Sequence, residues 1–118
     1  MNIQKWNSLS KEQRDCVCKN QKLSISFIKK VWNELNKEQR KYVCLYQDLS
    51  IEFTEKIWGI LNGKQKSFIL TYHPLPLSFI KQIWNELNEY QKNIIKNKLD
   101  NITKLVLLGL ENKKEKIN

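Results

Sequence analysis

A chain of 118 residues that is 41% hydrophobic is long enough for one domain with a modest core and too short for two independent ones. Its net charge of +9, of which Arg14 and Arg40 supply the only arginines among 21 cations, favours an acidic partner or nucleic acid and says nothing about the fold. No apolar run approaches the roughly 18 to 20 residues of a membrane span, and the start MNIQKWNSLSKE lacks the basic and apolar regions of a secretory signal, so a cytoplasmic protein with no membrane association is expected.

In chain order, NIQKWNSL reads as a helix entered part-way, with Trp6 on its apolar side. Ser10 then stands three residues before Gln13, a capping box in which the cap side chain takes the N3 amide while the glutamine reaches back. SISFIKKVWNEL (24–35) follows. Its apolar residues Phe27, Ile28, Val31, Trp32 and Leu35 form the stripe of a helix with one buried face, and Ser24 is its N-cap. Both patterns then return. Asn36, Asn62 and Asn88 stand three residues before Gln39, Gln65 and Gln91, Ser50 repeats Ser24, and Pro76 replaces the serine where a missing N–H is tolerated.

The tryptophans stand at 6, 32, 58 and 84, a constant interval without insertion that sets the length of the repeat. Helices of roughly ten residues cannot bury their stripes alone and must stack. Fixed-period self-similarity of this kind predicts an all-α fold, a right-handed α-solenoid-like stack of four 26-residue hairpins, with Trp32 and its equivalents as inter-repeat core. The units are 6–31, 32–57, 58–83 and 84–109, within one helical-repeat domain over 1–110. Leu105, Val106, Leu107, Leu108 and Leu110 read as a C-terminal capping helix, and 111–118 as a charged tail.

Catalysis needs groups that converge, and few here can. The one histidine, His73, occupies the column of Gln21 and Gln47, which makes it a substituted loop or helix-end residue in preference to a base. Cys16 and Cys18 have the wrong spacing for a zinc knuckle, and Cys18 repeats as Cys44 and Leu70, a column that treats cysteine as a small hydrophobe. Reduced thiols, no metal, no cofactor and no enzyme are expected.

One column stands out, because after each capping glutamine comes a cation: Arg14, Arg40, Lys66, Lys92. Stacked repeats bring equivalent positions to about 10 Å, the spacing of packed helices, so these four would form a ridge. Such a ridge gains nothing for folding, since like charges repel, yet would serve an anionic partner, with Lys29, Lys30, Lys56 and Lys81 as further contacts. The bland alternative is a solvated face partly neutralised by Glu12, Asp15 and Glu38.

The segments QKLSISFI (21–28), QDLSIEFT (47–54) and HPLPLSFI (73–80) resemble the Gln-x-Leu-Ser-x-x-Phe-Ile short helical repeats of bacteriophage and large DNA virus proteins. The resemblance implies a mobile-element origin. Small basic or acidic proteins of that origin commonly act by binding, so the resemblance implies a non-catalytic binding protein, in concrete form a phage-type, anti-CRISPR-like inhibitor of a host defence protein or ribonucleoprotein in the host cytoplasm. Direct RNA or DNA binding through the basic ridge and a purely structural scaffold are the alternatives.

Overall fold

The computed structural model describes residues 1–99 and Gly109. The capping helix expected around Leu105 to Leu110 and the tail 111–118 lie outside the described residues, Gly109 apart. Among the described residues the chain is all-α, with eight helices and no strand: α1 (Ile3–Asn7), α2 (Lys11–Asn20), α3 (Ile25–Val31), α4 (Lys37–Tyr46), α5 (Ile51–Ile57), α6 (Gly63–Tyr72), α7 (Leu77–Ile83) and α8 (Glu89–Lys98). They fall into two compact units, Met1–His73 and Pro74–Asn118. No described helix is long and apolar enough to cross a membrane.

The starts of the helices follow from local chemistry. Capping boxes open α2, α4, α6 and α8, where Ser10, Asn36, Asn62 and Asn88 accept from the N3 amides and the N3 glutamines accept from the cap amides. Ser24 and Ser50 cap α3 and α5 by accepting from the amides of Phe27 and Phe53 at 3.2 Å, and Pro76 precedes α7 without a side-chain cap.

The ends differ from the expected pattern. The apolar stripe of 24–35 continues to Leu35, but α3 stops at Val31 and tightens into a 3-10 turn over Trp32–Glu34, closed by the Leu35 amide on the Trp32 carbonyl at 3.2 Å. The same turn follows α5 at Trp58–Ile60 and α7 at Trp84–Glu86. The cause lies just downstream. Asn36 must be extended to cap α4, so the chain has to leave its helix within one turn, and a 3-10 closure lets it do so while each leucine stays buried.

In the first unit α4 packs against α2 on one side and α6 on the other. Val17, Cys18, Val43, Cys44, Ile69 and Leu70 fill the space between them. Trp6 meets Phe27 edge-on at 5.6 Å between ring centroids, and Trp32 meets Phe53 at 5.5 Å. Each pair lies within one 26-residue unit and joins its tryptophan to the next short helix in the chain, α3 for Trp6 and α5 for Trp32, with each edge-to-face contact adding about 0.5–1.5 kcal/mol beyond area burial. In the second unit Phe79, Ile80, Ile83, Trp84, Leu87 and Ile95 are buried.

Candidate interaction surface

The repeat's polar residues are consumed by the stacking, and the surface is what they leave. Gln47 is buried at the end of α4. Its Nε2 donates to the carbonyls of Cys18 at 2.8 Å and Gln21 at 2.7 Å, and its Oε1 accepts the Leu23 amide at 2.9 Å. One side chain thereby satisfies three backbone groups of the preceding repeat. The N3 glutamines act twice. Besides closing its capping box, Gln39 donates from Nε2 to Asp15 Oδ1 at 3.0 Å, and Gln65 donates to the Lys37 carbonyl at 3.3 Å.

His73 is the Gln47 of the next repeat. It is buried, and its Nε2 lies 2.7 Å from the Cys44 carbonyl, the counterpart of the Gln47 contact with Cys18 carried forward by one repeat. A carbonyl only accepts, so Nε2 carries the proton. The reading of His73 as a loop or helix-end residue thus gains a specific role, a clamp between repeats. All three cysteines are free thiols. Burial pushes the Cys18 thiol up to about 11, with the Asp15 carboxylate adding to the effect, and pushes Cys44 up to about 12 against the pull of Arg40. Both are therefore protonated and inert near neutral pH, while Cys16 is exposed. No group of three His, Cys, Asp or Glu residues among the described residues could hold a metal ion.

The cation column occupies a different place from a solvated ridge. Each member lies over the ring of the tryptophan eight residues before it: Arg14 over Trp6 and Arg40 over Trp32 at 4.9 Å, Lys66 over Trp58 at 5.2 Å, Lys92 over Trp84 at 5.3 Å. The arginines also donate to the carbonyl at the start of the turn, Arg14 Nε to Trp6 at 3.1 Å and Arg40 Nε and Nη2 to Trp32 at 3.3 and 3.2 Å. The column is half-buried. A cation on an aromatic face contributes about 0.5–1 kcal/mol, rising to about 2 when desolvated, so these charges do gain something for folding, each through its own ring. Lys29, Lys30, Lys56 and Lys81, the other expected contacts, are exposed on the short helices α3, α5 and α7.

Sequence reasoning passed over a second surface. Tyr46 on α4 and Tyr72 on α6 are 54% and 61% exposed and stand one repeat apart, at equivalent places on helices that pack against each other. Tyr42 lies 6.4 Å from Tyr46 between ring centroids, with Lys19 Nζ at 4.8 Å and Lys41 Nζ at 5.0 Å from its ring. Lys41 is itself paired with Glu38 at 2.6 Å, which holds the Glu38 carboxyl below its ordinary value and raises the Lys41 ammonium. The signal was available in the repeat itself, where the column Asn20, Tyr46, Tyr72, Lys98 carries a large aromatic ring in its two central copies and a polar residue in the outer two.

Comparison of the chain with protein-family models, with curated proteins and with solved structures finds no match in any of the three.

Proposed function

We propose that this chain is a non-catalytic helical-repeat binding protein, and that its partner is a protein docked on the exposed face of α4 and α6. The observation that carries the proposal is the pair Tyr46 and Tyr72, large amphipathic side chains exposed at repeat-equivalent positions, the first of them beside Tyr42, whose ring carries Lys19 and Lys41. Tyrosine is enriched in interface anchors because it brings contact area at small entropic cost. The non-catalytic half is supported by the commitment of the reactive groups, with His73 on a carbonyl and Cys18 and Cys44 held as thiols.

Architecturally the proposal takes the hairpins as the right-handed solenoid-like stack read from the repeat, and the support is register: the Cys18 and Gln47 contact recurs as Cys44 and His73. The likeness to phage and viral repeats carries the narrower form, an inhibitor of a host defence protein or ribonucleoprotein in the host cytoplasm. Basic-ridge binding to nucleic acid is the less favoured reading, because Arg14, Arg40, Lys66 and Lys92 already engage tryptophan rings.

Capture from lysate by the immobilised protein, with and without nuclease and at low and high salt, tests the proposal. Capture should survive nuclease, depend weakly on salt and disappear in a Tyr46→Ser, Tyr72→Ser double variant. Capture lost with nuclease and falling steeply with salt means phosphate contacts and overturns it.

A further inference from the structure

The tryptophan N–H groups mark a second feature of the first unit. Trp6 donates its Nε1 hydrogen to Glu34 Oε1 at 2.6 Å, across the junction between consecutive repeats. Carried forward by one repeat, Trp32 would donate to position 60, and position 60 is isoleucine. The Trp32 side chain is 3% exposed, and its Nε1 is buried with no hydrogen-bond partner. Trp84 Nε1 is likewise buried and unpartnered, but the position that would face it, Asn112, lies outside the described residues. At Trp32 the missing acceptor is therefore a matter of sequence, since no rotamer of Ile60 accepts a proton.

Trp32 and Ile60 line one cavity of about 320 Å³, together with Lys29, Phe53, Lys56 and Ile57. Two ammonium groups, Asn33 and the Glu52 carboxylate share this cleft with the apolar Phe53, Ile57 and Ile60, and the buried, unpartnered N–H belongs to one of the residues that line it. Ile60 is 60% exposed, so a partner that displaces it meets little packing resistance. The Arg40 guanidinium, over the indole ring and bonded to the Trp32 carbonyl, holds the ring against moving to find another acceptor.

We propose that this cleft is a docking site for an acidic segment of a partner protein, an inference that rests on the reading of the chain as a protein-binding module. A carboxylate of that segment takes the Trp32 N–H as Glu34 takes that of Trp6, Lys29 and Lys56 offset its charge, and a neighbouring apolar side chain rests on Phe53, Ile57 and the displaced Ile60. The occupant is a protein carboxylate for two reasons visible in the chain. The molecule's own solution at Trp6 is a glutamate, and the Glu52 carboxylate among the lining residues repels the several charges of a phosphodiester backbone more than it repels one carboxylate beside apolar residues.

The test follows the four indole N–H resonances in the nitrogen–proton spectrum of the full chain, with Trp32 assigned by a Trp32→Phe variant. An acetylated, amidated peptide of alternating glutamate and leucine pairs is titrated in, beside its Gln-for-Glu counterpart and a uridine oligonucleotide. The acidic peptide should shift the Trp32 resonance downfield and leave that of Trp6 in place, and the glutamine peptide should bind at least tenfold more weakly. Ile60→Glu should supply the acceptor from within, moving the Trp32 resonance downfield without peptide and weakening the peptide at least tenfold. A Trp32 resonance unmoved by the acidic peptide, or an Ile60→Glu variant that binds it like the parent, overturns the proposal. So does a Trp32 shift caused by the oligonucleotide and not by the peptide. Failure here leaves the binding-module reading standing if lysate capture still depends on Tyr46 and Tyr72, and loss of that capture condemns the broader reading separately.

Discussion

Replacement of Gln47 by leucine should damage this protein more than any surface glutamine has reason to. The side chain is buried and makes three hydrogen bonds to the preceding repeat, to the Leu23 amide and the Cys18 and Gln21 carbonyls. At about 1 kcal/mol net for each bond the loss is about 3 kcal/mol, and stranding a buried amide such as that of Leu23 adds a desolvation penalty of about 1–3 kcal/mol, partly counted already. Leucine returns some apolar contact, so the expected cost is about 3–5 kcal/mol, a third or more of the stability of an ordinary domain. Gln21 supplies the control. It occupies the same column one repeat earlier, but its side chain is exposed, and Gln21→Leu should change stability by less than about 0.5 kcal/mol. Urea unfolding followed by circular dichroism measures both, with a lower midpoint at unchanged slope expected for Gln47→Leu. A Gln47→Leu protein within about 1 kcal/mol of the parent, or a Gln21→Leu protein as damaged, refutes the clamp.

Further outcomes follow from the same contacts. Arg40→Gln, which removes a ring contact and the bonds to the Trp32 carbonyl, should lose about 1–2 kcal/mol in the same unfolding assay, whereas Lys37→Gln on an exposed position should be silent. His73→Gln restores the repeat's own clamp, placing its amide to reach the Gln47 carbonyl and the Leu49 amide as Gln47 reaches those of Gln21 and Leu23, and should raise stability by about 1 kcal/mol. Alkylation of the native protein with iodoacetamide, read by mass spectrometry, should mark Cys16 and spare Cys18 and Cys44 until the chain unfolds. Because burial raises these two thiols in the folded state, their stabilisation is complete below the ordinary thiol value of 9.0 and is lost as pH rises toward about 11 and about 12. The unfolding midpoint should therefore fall above pH 9, and more shallowly in a Cys18→Ala, Cys44→Ala variant.

The sequence by itself determined everything whose cause lies within a few residues of its effect. Ser10 and Gln13, or Asn36 and Gln39, form a capping box because they are three residues apart on a chain entering a helix, and no distant group has to cooperate. The apolar stripes and the tryptophan period likewise required only that short amphipathic helices bury one face, which fixes an all-α fold and the burial of Trp6, Trp32, Trp58 and Trp84. Tertiary structure alone decided where the polar side chains spend their hydrogen bonds. Gln47 and Cys18 are 29 residues apart, Gln39 and Asp15 are 24, and whether an amide reaches a carbonyl at such separations depends on how far one hairpin is offset against the next. The cation column fell between these cases. Arg40 and Trp32 are only eight residues apart, but they sit on different elements, and the guanidinium finds the ring because the 3-10 turn ends α3 early and turns the Trp32 carbonyl toward α4. A pattern read on one continuous helix from 24 to 35 places that carbonyl inside a helical ladder and leaves the arginine facing water. The unpartnered Trp32 N–H belongs wholly to tertiary structure, since Ile60 is an unremarkable residue until Glu34 is seen holding the indole of the repeat before.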